Sequence, residues 1–259
     1  MRRSRLSGGL FGCGLVFLLF PVAHAVVEAC FDQGWAEPAG LVWLVLGFAL
    51  VAGSLRVQGS VAQATMGLLA GFFLWAAVGE VPHHTGHGMH VGPDNWGILL
   101  VIGTYYLLSH TSPGRPFLTS LLRGAPDEAR RVHPSRQGLQ IAFEFFVVVW
   151  ALHVLLLTAY YHPSFGVHSW FTYLIFGVTL LVTPVLLRSV GRIHDLAHGI
   201  RAGVLVASLL WTLVEILMKW GVLPKPWKPM NPWAIGVCTL LLAGWWWKAR
   251  ESSGRIGRS

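Results

Sequence analysis

The chain has 259 residues, 54% of them hydrophobic and only 12% charged, with mean hydropathy +0.58 and a formal net charge of +8. Soluble domains carry about 25% charged residues, so this composition leaves too little polar surface to coat a water-exposed fold. The positive balance does not indicate nucleic acid either, because the basic residues sit in short segments between apolar blocks.

Those blocks have the length needed to cross about 30 Å of hydrocarbon. Transmembrane helices are expected over 8–29, 40–57, 61–80, 96–112, 138–160, 168–188, 201–221 and 232–248. In lipid a helix satisfies its own backbone hydrogen bonds, so the fold class is all-α, a polytopic membrane protein with about eight spans. With the N-terminus inside, the inner segments hold 16 of the Lys and Arg residues. The outer segments hold 3, namely Lys219, Lys225 and Lys228. That asymmetry gives N-in/C-in topology, and the expected location is a bacterial inner membrane. A competing reading concerns the start. Arg2 to Arg5, the apolar run from Leu10 and Ala23-His24-Ala25 resemble a cleavable signal peptide over 1–25, which would leave seven helices. Trp245-Trp246-Trp247 before Lys248 reads as an interfacial anchor. Cys13, Cys30 and Cys238 have no paired spacing, so no disulfide framework is expected.

The long inner segment 111–137 reads as a cytoplasmic connector between two four-helix halves, 1–110 and 138–259. The halves look related. His24, Leu55-Arg56, Leu74-Trp75, Glu80 and Asn95-Trp96 recur as His153, Leu187-Arg188, Leu210-Trp211, Glu215 and Asn231-Pro232-Trp233. The offsets drift slowly, from 129 at the histidines to 136 at the Trp pair and 135 at the Glu pair. An even number of helices per half makes this a parallel internal repeat, with an axis along the membrane normal.

Ionisable residues at membrane depth are costly and often mark a site. Here they are His24, Glu28, Glu80, Glu144, His153 and Glu215, and all but Glu144 fall in the outer half. If the repeat is real, His24, His153, Glu80 and Glu215 converge on one site. Imidazole with carboxylate suits zinc, iron or manganese, and it equally suits a proton relay. The bland alternative is that each residue is singly buried and bonded to a neighbouring helix. The outer loop His83-His84-Thr85-Gly86-His87-Gly88-Met89-His90 is a metal-prone tract. Imidazole plus thioether leans toward copper, with zinc or nickel as alternatives; a flexible polar loop is the bland reading. His162 and His168 are secondary candidates in the next outer loop, as are Glu28 and Met89. On the inner side, His194 and His198 would share a face if their loop is helical, although an Arg-rich loop meeting lipid headgroups is the simpler account.

Two partial likenesses bear on function. The four-plus-four arrangement with membrane histidines resembles haem A synthases, but those carry two His ligands per half and this chain offers one. The run His24 to Glu28 with a later Glu80 is similar to the sterol-isomerase (emopamil-binding) fold, in which such residues move protons on a lipid. The second half departs from that pattern with Leu157 in place of a Glu.

No Walker loop, GxGxxG, HExxH, GxSxG or CxxC is present. Four functions stand. One is metal handling, the capture or transport of a divalent or cuprous ion with copper, zinc or iron bound. Another is a redox subunit with haem b on His24 and His153, which a Soret band would reveal. The third is a lipid-modifying enzyme using buried Glu and His. The last is a structural subunit packed among other membrane-complex subunits.

Overall fold

A computed structural model describes residues 7–80 and 136–225. These form α1 (Gly8–Asp32), α2 (Ala36–Ser54), α3 (Ser60–Trp75), a π turn (Ala76–Glu80), α4 (Gln137–Tyr161), α5 (Trp170–Val190) and α6 (Leu196–Lys219). Among the described residues there is no strand, and six helical stretches are long and apolar enough to cross a membrane. The protein is therefore a multi-pass helical membrane protein. The spans expected over 96–112 and 232–248, and the tract His83 to His90, lie outside the described residues.

Two helices start earlier than the hydropathy pattern suggests. α2 begins at Ala36, because Pro38 is tolerated in a first turn where its missing N–H has no intrahelical partner. α6 begins at Leu196 because Asp195 caps it: one carboxylate oxygen accepts the His198 backbone N–H at 2.8 Å and contacts His198 Nδ1 at 2.6 Å. His194 thus lies outside the helix and His198 within its first turn, so the two do not share one helical face. The His198 side-chain bond holds the Asp195 carboxyl below its ordinary range. A depressed carboxylate stabilises the fold above its unfolded pKa of about 3.9 and loses that contribution as pH falls. Asp195→Ala should cost about 1 kcal/mol at neutral pH, the usual worth of an N-cap. The difference should fade in acid, and melts at pH 7 and pH 3 check both.

The chain divides into two compact units, one of Met1–Val26 with Gly177–Ser259 and one of Val27–Phe176, the boundaries falling within α1 and α5. In the first unit α1 runs parallel to α6, with contacts that climb both helices together. A Cβ on Gly12 would collide with the Gly199–Ile200 backbone, and one on Gly199 with Gly8. One on Gly203 would sit 2.7 Å from Cys13 Cα. Gly8-x3-Gly12 thus faces Gly199-x3-Gly203, so the backbones approach closely. In lipid this matters because packing rather than water exclusion drives helix association.

The second unit repeats the arrangement with other helices. Gly67 on α3 meets the Gly138 backbone on α4, and a Cβ on Gly71 would lie 2.6 Å from Ala142 O. Ser54, at the end of α2 and fully buried, closes over Gly138. The outer faces of α2 and α5 are apolar and bare, with Leu41 65% and Leu181 75% exposed, as lipid contact requires.

Candidate functional site

In each unit the glycine seam holds the helix pair together on the N-terminal side of the tryptophan and histidine. Toward the C-terminal ends, larger side chains fill the space between the helices.

In the second unit this filling is Trp75, His153 and Glu80. Trp75 on α3 is almost fully buried, and its ring meets the His153 ring of α4 edge-on, centroids 5.9 Å apart at 82°. Phe72 and Phe145 pack beneath. Glu80 Oε1 lies 4.0 Å from His153 Nδ1, with Glu80 2% and His153 12% exposed. The π turn sets this placement. It carries one residue more than an α turn, so Glu80, five positions after Trp75, returns to the same face. Gly79 lets the turn pass the Trp75 indole, where a Cβ would stand 3.1 Å from Nε1.

In the first unit the filling is Trp211 and His24. The rings lie 5.2 Å apart, tilted 43°, with Phe20 stacked on the same indole at 5.5 Å. His24 Nδ1 contacts Phe20 O at 2.9 Å. A carbonyl oxygen only accepts, so Nδ1 carries the proton and Nε2 is the basic nitrogen of the neutral ring. Glu215, half-buried, follows Trp211 by four residues of regular helix.

The four residues expected to form one constellation are described in two units: Glu80 lies 4.0 Å from His153 in one, while His24 on α1 and Glu215 on α6 belong to the other. Among the described residues, no group of three or more His, Cys, Asp or Glu could hold a metal ion. Glu28 follows His24 by one turn and is half-buried. His162 ends α4, where Nδ1 accepts the Ser164 N–H at 3.2 Å and the ring packs on Phe165. His168 is exposed ahead of α5. Glu144 is buried and accepts a 2.8 Å hydrogen bond from Gln140, a local partnership within α4. Cys13 and Cys30 are free thiols. The residues missing from the sequence reading are the two Trp walls. Their signal was present as a Leu-Trp pair one turn before a Glu in each half.

The described residues form a multi-pass helical membrane protein in which His153, beside Glu80, packs on Trp75 and His24 packs on Trp211. Residues 135–234 match the model of a domain of unknown function, DUF4491. No curated protein and no solved structure matches the chain.

Proposed function

We propose that this protein handles a divalent transition-metal ion at the outer side of a membrane, with Glu80 and His153 as its membrane-embedded ligands. The observation that carries this reading is the placement of Glu80 Oε1 at 4.0 Å from His153 Nδ1 by a π turn, since π bulges gather at functional sites. A zinc-sized ion at about 2.1 Å from each donor, with a tetrahedral angle between them, sets N and O about 3.4 Å apart. A movement of about half an ångström would therefore close the pair on an ion. Two protein ligands hold an ion loosely enough for release, which suits capture or passage more than permanent storage. The His83 to His90 tract follows Glu80 by three positions in the chain and supplies further imidazole for capture. The charge asymmetry supports N-in topology, and the membrane we propose is a bacterial inner membrane.

The test is zinc binding to the detergent-purified chain with His83, His84, His87 and His90 replaced by Ala. Glu80→Gln and His153→Ala should each weaken binding well beyond the roughly 10–100-fold lost when only an outer partner of a ligand is removed. Unchanged zinc affinity in both variants, with the fold intact, would overturn the reading.

A second reading is favoured by the lack of a three-ligand group among the described residues. There Glu80 and His153 would exchange one proton as an acid–base pair acting on a lipid. Its signature is a zinc-free protein in which Glu80→Gln still changes proton uptake on lipid addition.

We also propose that the chain is a duplicated four-helix module with eight spans. The recurring His, Trp and Glu support this, as does a family match that starts two residues before α4 and covers much of the second half.

A further inference from the structure

The first unit holds a set of side chains of the same kind, on different helices. α1 and α6 are parallel and in register from Gly12 at Gly199, through Cys13 at Gly203, to Phe17, Phe20 and His24 around Trp211. The second unit runs from Gly138 at Gly67, through Ala142 at Gly71, to His153 at Trp75. In both, a glycine seam leads to a His ring packed on an indole, with a Glu on the Trp-bearing helix one turn beyond. Glu215 reaches that position in four residues of α-helix, and Glu80 in five residues through the π turn.

We propose that His24 and Glu215 form a second divalent-metal ligand pair, so that the chain carries two such pairs, one in each unit. The proposal rests on the reading of Glu80 and His153 as ligands. His24 is prepared for the role independently of that likeness. Its Nδ1–H is held by Phe20 O, which fixes the tautomer and aims Nε2 as the donor, the outer-partner arrangement usual for metal-binding histidines. The indole of Trp211 fixes the ring plane. Both His24 and Glu215 are half-buried, so neither is sealed in the core of the helix pair. The pairs differ in one respect: His24 offers Nε2, whereas His153 turns Nδ1 toward its carboxylate. They should therefore differ in affinity.

The experiment counts zinc ions bound to the full chain by equilibrium dialysis, with the four tract histidines replaced by Ala. Two ions per chain are expected. His24→Ala and His153→Ala should each leave one, and the double variant none. Glu215→Gln, which keeps the shape of the side chain, should weaken one of the two ions by tenfold or more. A monodisperse gel-filtration peak guards against unfolding in each variant. One ion, lost with His153→Ala and untouched by His24→Ala or Glu215→Gln, overturns the second pair and leaves the first standing. One ion lost with either histidine means a single shared site and also overturns it. No ion in the parent chain sinks the reading of Glu80 and His153 as well.

Discussion

Gly67→Leu should abolish folding, while Gly14→Leu should leave it intact. Any Cβ at Gly67 falls inside the van der Waals envelope of Gly138 O, and the obstacle is backbone that no rotamer change can move. Ordinary overpacking of a core costs about 1–3 kcal/mol because side chains yield. Here helices α3 and α4 must separate along the seam, which forfeits the close packing that drives association in lipid. Against a total stability of about 5–15 kcal/mol, that loss unfolds the unit. Gly199→Leu should do the same to α1 and α6, since its Cβ would meet the Gly8 carbonyl. Gly14 lies on the same helix as Gly12 with nothing within 4 Å of an added Cβ, so it controls for helix propensity and hydropathy. Detergent melts and gel filtration of the three variants decide the matter. A well-folded Gly67→Leu protein would mean that the seam is not the contact that holds α3 to α4.

Deleting Val78 should preserve the zinc binding proposed for Glu80 and His153, whereas deleting Phe73 should destroy it. The two deletions remove one apolar residue each, five positions apart on one span. Val78 lies in the π turn and is 42% exposed. Without it the turn can relax to regular α-helix, and the carboxylate then stands four positions after Trp75, as Glu215 stands after Trp211. Its direction from the Trp changes by only about 10°. Phe73 lies between the seam and Trp75, where the helix has no surplus residue to give up. Its loss turns both Trp75 and Glu80 by about 100° away from α4. Zinc affinity should fall less than about tenfold in the first variant and beyond detection in the second. Equal loss in both would show that the π turn is not a removable insertion.

The membrane character was legible from composition, and the six described spans fall where apolar length placed them. Their ends were less so. Hydropathy cannot see that Pro38 belongs inside a first turn, or that Asp195 starts a helix by accepting an N–H. His24, Glu80, His153 and Glu215 stood out because ionisable groups are scarce at membrane depth. Their grouping did not. Each unit joins helices from distant parts of the chain, α1 with α6 and α3 with α4. Nothing in the hydropathy pattern specifies those partners. Two features have a signature in the sequence. Glu80 follows Trp75 by five residues where Glu215 follows Trp211 by four, and the π turn takes up the extra residue. The spacings Gly8-x3-Gly12, Gly67-x3-Gly71 and Gly199-x3-Gly203 are the small-residue faces of close helix pairs.

The crosswise pairing has a consequence for biogenesis. α3 and α4 both leave the ribosome well before α6 does, so the second unit can close while synthesis continues. α1 is made first, but its glycine face waits for a partner about 190 residues downstream. At 5–20 residues per second, that delay is roughly 10–40 s. For this interval a nascent helix with an uncovered backbone groove stands in the bilayer, competing for any other small-residue face. Slowing translation after α4 should therefore increase misassembly of the first unit more than the second.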